Sequence, residues 1–416
     1  MKASGIFFRP TLIAVGTTIV LSLLFYYQSQ PNHVQYSVAG GSEENNNSLP
    51  VIFENTTNLT NNPVDSVYGQ VAAWNSHVYV VWQESVSSAN NRNYDIVIKN
   101  SVDNGTTFGS LVNLSNNSGF SEHPKLAAFG NNVYVIWADD TSGNREVLFR
   151  RSIDNGTSFD SMKNLSNNTS DSFNQEIAVF GDNVYVVWLD QDNVGTNVLL
   201  RASTDGGATF GRTVKISSNA NNETFPKVAA YGSGVYIAWN MVGSDIDKGD
   251  NEGLFFVKSS DGSNTFDNIL KLNRDDNFGE PEVAALNDTV YVVSGGLPSA
   301  EVNGLFFTKS IDRGKSFSEP EIIDSNGTFV NPLNVEVVAF DAQSLYVVGE
   351  VFVSGNTDIL FLKMIGNNST QVLNLSNNPG TSECSSIAVA GDKIYVVWED
   401  MTPGNHDILY AKGVRV

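Results

Sequence analysis

Cysteine is nearly missing from this chain of 416 residues. Cys384 stands alone, so no intramolecular disulfide can staple the fold. Basic residues are scarce as well: 24 Lys and Arg face 45 Asp and Glu, a formal charge of −21. Phosphate recognition needs clustered Lys and Arg, and this balance argues against nucleic acid as a partner. An acidic surface instead serves solubility, or adaptation to cations or salt. Long helical patterns are hard to find. The histidines His33, His77, His123 and His406 build no His-Glu-x-x-His helix, and no glycine-rich phosphate loop follows a strand. His77 and His406 read as turn residues.

What is present begins with one apolar run. Lys2 and Arg9 precede Thr11 to Tyr27, and a polar stretch follows. A basic flank, an apolar core and a polar exit describe a secretory signal or an uncleaved signal anchor. At about 17 residues the run is borderline for spanning a bilayer, unless Ile6-Phe7-Phe8 extend it. Ser37-Val38-Ala39 resembles a cleavage site but stands far from the apolar core, which favours the anchor. The chain then divides into 1–27, a signal peptide or signal anchor; 28–49, a disordered Asn/Ser-rich stalk; and 50–416, outside the membrane. Asn-x-Ser/Thr acceptors are dense, and in an exported protein they are candidate glycan sites. Asn55, Asn58, Asn104, Asn113, Asn155, Asn164, Asn222, Asn287, Asn326 and Asn374 are examples. The alternative is that Asn and Ser simply populate turns.

The region 50–416 is repetitive. One unit runs from Lys125-Leu126-Ala127-Ala128-Phe129 through a turn to Val133-Tyr134-Val135-Ile136-Trp137. A polar loop, the run Glu146 to Ser152, a second turn and Met162 to Ser166 complete it. Four short runs rich in β-branched and aromatic residues, separated by turn signals, predict a four-stranded antiparallel meander. The second strand recurs at Val78, Val133, Val184, Val235, Val290, Leu345 and Ile394, about every 50 residues, the period of propeller blades. The fifth and sixth copies carry Ser294 and Gly349 in place of Trp. The seventh unit stops after its third strand, near Lys412, whereas Val51-Ile52-Phe53 and Thr57 to Asn62 match an outer strand at the other end of the chain. The expected fold is therefore all-β, a seven-bladed propeller whose N-terminal strand closes the last blade. The first strands carry small pairs such as Ala72-Ala73 and Ala127-Ala128, which suit the taper towards an axis. They open on Gln70, Lys125, Glu176, Lys227, Glu282, Glu336 and Ser386, where alternating Lys and Glu suggest ion pairs between blades. An exposed strand end of little worth is the competing explanation.

Between third and fourth strands lies a further pattern, Ser-x-Asp-x-Gly-x-Thr/Ser-Phe. It is read at Ser101–Phe108, Ser152–Phe159, Ser203–Phe210 and Ser310–Phe317, and loosely at Ser259–Phe266, whose glycine comes one place early. The aspartates are Asp103, Asp154, Asp205, Asp261 and Asp312. An Asp carboxylate can bond N–H groups one or two residues on, the glycine supplies positive φ, and the Phe plugs the turn. The pattern resembles the Asp box, the bacterial-neuraminidase repeat of sialidases and related β-propellers. In that family the box is structural and lies away from the active site. Sialidases grip a substrate carboxylate with three arginines and use a Tyr–Glu nucleophile and an Asp acid/base, usually on six blades. The Arg-Ile-Pro motif that usually carries the first arginine does not occur here.

The resemblance implies that ligands meet the face bearing the second-to-third-strand loops and the blade-to-blade connections. Arg92, Arg145 and Arg274 fall on those loops. So do Glu84, Asp139, Asp190 and Asp400 after the second strands, and Asp95, Glu146, Asp358 and Asp407 before the third. Oxygens at loop ends could hold Ca²⁺, and the same carboxylates could instead cap loop backbone. Asp245, Asp247 and Asp250 form the best single cation loop, although it lacks the twelfth-position glutamate of an EF-hand. The expectation is a monomeric extracellular or cell-surface module, attached through its N-terminal apolar segment, that binds glycan or protein without catalysis. A sialidase-like glycoside hydrolase is the alternative.

Overall fold

Alternating Val, Tyr, Val, Val and Trp bury both faces of a strand, and such a strand needs a neighbouring sheet on each side. The computed structural model supplies those neighbours in a ring. It describes residues 49–86, 93–192, 195–217, 222–242, 253–272, 278–296, 304–323, 332–341, 343–353, 355–402 and 404–416. The expected signal or anchor and all of the stalk except Leu49 lie outside these residues. Among the described residues, no helix is long and apolar enough to cross a membrane.

Seven blades of four antiparallel strands circle one axis. In blade one they are Ser66–Trp74, His77–Ser85, Tyr94–Ser101 and Val112–Asn113, from the axis outwards. The other inner strands are Ser121–Phe129, Asp171–Phe180, Asn222–Tyr231, Phe278–Leu286, Leu333–Ala339 and Ser382–Ala390. The second strands form the core: Tyr79, Tyr134, Tyr185, Tyr291, Tyr346 and Tyr395 are fully buried, as are Trp82, Trp137, Trp188 and Trp398.

The ring closes as the sequence leads one to expect. The third strand of blade seven, Asp407–Arg415, pairs with Thr57–Asn58, which stands where Val112–Asn113 stands in blade one. Val51–Phe53 adds a second pairing further along, with Val51 opposite Arg415. Blade six lacks the Ser-x-Asp-x-Gly turn. Its third strand, Asn356–Ile365, runs through the two residues Gly366 and Asn367 straight into Asn368–Asn374, a plain hairpin.

The five aspartate turns share one geometry. Asp103 accepts from the N–H of Thr106 (3.1 Å) and Thr107 (2.9 Å) and from Thr107 Oγ1 (2.7 Å). The Asp bonds therefore reach three and four residues on, further than an Asx turn. Ser101 Oγ donates to Asp103 at 2.7 Å and accepts from Gly105 N at 2.9 Å. Residues four and five of each turn are both left-handed, for example Asn104 at φ 59° and Gly105 at 72°. The displaced glycine of blade four is thereby explained: Gly262 (72°) and Ser263 (74°) occupy the same two places in reverse chemistry.

Each turn also lies against the preceding blade. A Cβ on Gly156 would fall 3.1 Å from the Tyr79 ring, and one on Gly207 2.7 Å from the Phe149 ring. The turn phenylalanines follow: Phe108 meets Tyr410 edge-on at 5.2 Å, Phe210 meets Phe149 at 4.9 Å, and Phe317 meets Phe256 at 4.8 Å. The phenylalanine thus plugs a seam between blades as well as its own turn. Gly207→Ala should lower the unfolding midpoint clearly more than Gly130→Ala. Both residues have positive φ, a strain of about 1 kcal/mol for alanine, but a Cβ on Gly130 meets nothing within 4 Å. Equal losses in a denaturant titration would refute the seam contact.

Candidate functional site

At the loop-face end of the blades, carboxylates are collected by neighbouring donors. Asp139 accepts from Asn117 Nδ2 (2.7 Å), Ser121 Oγ (2.8 Å), Thr141 N (3.0 Å) and Trp137 Nε1 (3.3 Å). Asp400 repeats this with Asn378, Ser382, Thr402 and Trp398, and Glu84 accepts from Trp82 Nε1 at 2.9 Å. Burial opposes the charge on Asp139, but the donors of Thr141, Asn117 and Ser121 outweigh it and hold the carboxyl below its ordinary value. The acids that open the third strands hold the outer strand in place. Asn113 Nδ2 donates to Asp95 (2.6 Å), Asn58 to Asp407 (2.7 Å) and Asn374 to Asp358 (2.7 Å). Three acceptor asparagines thus have their amide nitrogen bonded to a buried acid.

The axial mouth on the same face is built differently. Six inner strands carry a bulge in which a non-glycine residue is left-handed: Tyr68 (φ 54°), His123 (51°), Asn174 (51°), Phe225 (51°), Asn334 (44°) and Cys384 (51°). Three bulges are fastened by the residue that follows the second-strand Trp, or its replacement, in the preceding blade. Tyr68 N donates to Glu399 (3.0 Å), His123 N to Gln83 (2.8 Å) and Cys384 N to Glu350 (2.5 Å). The bulge turns the side chains of blades one and two towards each other, and the rings of Tyr68 and His123 meet edge-on at 4.4 Å. Tyr68 remains 39% exposed and Phe225 36%, so both aromatics face solvent at the mouth.

Charged groups surround this pair. Glu122 lies 3.6 Å from Arg145, which also reaches Asp171 (3.3 Å) and lies over the Phe173 ring at 4.6 Å. On the other side His406 Nδ1 stands 3.4 Å from Glu399. Burial, with Lys125 and Arg145 nearby, pushes His123 down to about 4, so its imidazole is neutral. Burial and the carboxylates of Glu399, Glu122 and Glu383, together with Cys384, push Tyr68 up to about 12. Glu122, Glu350 and Glu399 are all raised by burial. Burial raises the Cys384 thiol, which disfavours its thiolate form.

Below the mouth the channel has a floor. Lys125 reaches Glu176 (2.8 Å) and, across the ring, Glu336 (4.0 Å); Lys227 joins Glu176 (2.9 Å) to Glu282 (2.6 Å). These are the inter-blade ion pairs that the alternation of Lys and Glu suggests. Burial disfavours the Lys227 charge, yet Glu176 and Glu282 together raise its pKa. Glu282, buried and sharing its only lysine, is pushed up instead. Trp74, Phe129, Phe180 and Tyr231 continue at the far end, with successive ring centroids 4.2, 5.6 and 5.1 Å apart. The mouth is therefore a well, closed first by ion pairs and then by aromatics.

Of the arginines singled out in the sequence, Arg145 stands at the mouth; Arg92 and Arg274 lie outside the described residues, as do Asp245, Asp247 and Asp250. Glu84, Asp139 and Asp400 lie in the clamps, and Asp190 is considered below. Among the described residues, no three of His, Cys, Asp and Glu converge to hold a metal. Sequence reasoning passed over Tyr68, His123 and Phe225. A usable signal exists, because each stands two residues before the Gln, Lys or Lys that opens the regular inner strand.

Comparison with known proteins gives a fold and no family: no family model matches, and no curated protein matches. A solved ulvan lyase, described as a new family of polysaccharide lyase, is similar with TM-score 0.59 at 8% identity, over 83% of this chain and 93% of that one. The Ruminococcus gnavus intramolecular trans-sialidase gives 0.48 at 12% identity, over 84% and 94%. Trypanosoma rangeli sialidase gives 0.49 at 12%, over 84% of this chain but only 55% of its own length. At such identities the likeness concerns fold alone, and the two sialidase scores carry no further argument. The class defined by fold and site is thus a seven-bladed β-propeller whose axial channel is closed below the mouth by ion pairs and aromatics.

Two outcomes follow from the electrostatics. The folded pKa values of Asp139, Asp400 and the five turn aspartates lie below their unfolded values. Their stabilisation is therefore present above the ordinary Asp range and lost as pH falls below it towards the folded values, and the urea midpoint should drop progressively between about pH 4 and 2. A flat midpoint there would contradict the clamps. Lys227→Met removes the cation between Glu176 and Glu282 and should cost about 3–5 kcal/mol at neutral pH. Part of the loss should return on acidification, as the stranded glutamates protonate. A loss independent of pH would show that the ion pairs do not hold the floor.

Proposed function

We propose that this protein is an exported or membrane-anchored extracellular propeller that binds a glycan at its axial mouth. One observation carries the reading. The bulge geometry recurs in six blades, and blades three and six satisfy it with Asn, which tolerates left-handed backbone. Blades one and four carry Tyr and Phe there, bulky residues for which positive φ is costly, and blade two carries His. The backbone does not require these rings. An exposed aromatic beside carboxylates and an arginine is chemistry suited to a sugar ring and its hydroxyls. The likeness to a polysaccharide lyase supports a carbohydrate ligand at the level of fold.

Display fits the same reading. The chain enters the propeller at Leu49–Val51, beside Arg415 at the end of blade seven's third strand, on the face opposite the mouth. A tether leaving there would point the mouth away from the membrane, as a monomer on its stalk. A second reading, cleavage of the glycan, draws on the neutral His123 beside Tyr68 and on the raised carboxyl of Glu122.

The deciding variant is Tyr68→Asn, which installs the residue of blades three and six. It should leave the melting temperature unchanged or slightly higher and reduce retention on a polysaccharide array by at least about tenfold, a loss of about 1.4 kcal/mol. Undiminished binding by the variant, or no binding by the parent protein to any glycan, would sink the proposal. Product release from the same polysaccharides would replace binding with cleavage.

A further inference from the structure

The blades provide an internal comparison in which blade three is the odd member. In blades two and seven one cross-strand row at the loop-face end reads Ser121–Asp139–Glu146 and Ser382–Asp400–Asp407, each residue directly opposite the next. In blade three the row is Ser172–Asp190–Asn197. Two companions have changed with it. The threonine whose N–H closes the second oxygen of Asp139 is replaced by Asp192, whose N–H instead donates to Gly195 O. The outer-strand Asn that serves the third acid elsewhere is Lys215 here.

The consequence is a set of buried oxygens without donors. Asp190 retains Asn168 Nδ2 at 3.3 Å on Oδ2. Among the described residues, Asp190 Oδ1, Ser172 Oγ and Asn197 Oδ1 have no hydrogen-bond partner, although Ser172 is 0% and Asn197 6% exposed. Trp188 Nε1, whose counterparts donate to Asp139 and Asp400, is likewise released. Residues opposite one another in such a row project from the same face, with Cβ atoms about 4.5–5.5 Å apart. Asn197 is held in orientation: its Nδ2 donates to Asp192 Oδ2 at 3.2 Å, which turns Oδ1 away from that carboxylate.

We propose that the loop-face end of blade three is a hard-cation site of the Ca²⁺ class. Asp190 Oδ1, Asn197 Oδ1 and Ser172 Oγ are its protein ligands, solvent completes the shell, and Asp192 positions Asn197. A carboxylate, an amide carbonyl and a hydroxyl are oxygen ligands that Ca²⁺ accepts with flexible geometry, and the absence of His and Cys from the set disfavours softer metals. With one direct carboxylate the site is weak, in the range of about 10⁻⁴–10⁻³ M found for extracellular modules.

The test is a titration of the full chain with Ca²⁺ by calorimetry and with Tb³⁺ by luminescence sensitised through tryptophan. One saturable site is expected, with Tb³⁺ displaced by Ca²⁺. Asp190→Asn and Asn197→Ala should each weaken it at least about tenfold, while Glu319→Gln, at an exposed position in blade five, leaves it unchanged. Trp188→Phe should abolish the Tb³⁺ emission and preserve the calorimetric binding. No saturable binding below about 10 mM, well above the range for such modules, would overturn the site and leave a proton or an ordered water as the occupant of the row. Binding that survives Asp190→Asn would equally overturn it.

Discussion

The seam between neighbouring blades is the contact on which this structure depends. A blade of two-residue outer strands and nine-residue inner strands cannot bury its own Val-Tyr-Val-Val-Trp strand; the flanking sheets must do so. In a ring of this kind stability is a sum over neighbour contacts, and one open seam would expose two apolar faces at once. Several seams are fixed at two heights. Towards the loop face, buried carboxylates gather Ser, Asn, Thr and Trp donors. At the opposite end, a left-handed glycine and a phenylalanine lie on the aromatic rings of the preceding blade.

Glycine serves two constraints in that lower contact. Positive φ alone would admit Asn, as the preceding residue of the turn shows at Asn104 and Asn155. The nearby ring admits no Cβ at Gly105, where the Tyr410 hydroxyl would lie 1.8 Å away. A motif that looks like local turn chemistry is thereby a device for spacing blades. Blade six shows what happens without it: the same two strands run on as a hairpin, and its seam with blade five relies on the apolar core, where Tyr291, Val293 and Phe307 meet Val347, Leu360 and Leu362.

The architecture was legible because it is written as repetition. Seven copies of one strand, and an outer-strand sequence at the wrong end of the chain, left the blade count and the closure little freedom. The site was not legible for the opposite reason. Tyr68, His123 and Phe225 occupy a place that repeats in backbone but not in side chain, so only their offset of two residues from Gln70, Lys125 and Lys227 marks them. The acids misled in another way. A carboxylate at a strand end reads the same whether it faces solvent or a neighbour's hydroxyl, and Asp139 and Asp400 proved to be 1% and 0% exposed. The donors that surround Asp139, from Asn117 to Thr141, become neighbours only when the connection between two blades folds back on the loop.

Repetition also makes the exceptions informative. Where the clamp is complete, a buried acid has its donors and can be kept ionised at little cost, which is how so acidic a chain tolerates buried carboxylates. Where one member changes, as at Asp192 and Lys215, the remaining oxygens lose donors that their counterparts keep. The mouth follows the same logic with backbone instead of donors. Its bulges are an architectural requirement met at lower strain by Asn174 and Asn334, so the strain added by Tyr68 and Phe225 has no architectural explanation. A residue that costs stability without supporting the ring is the one whose side chain has another task.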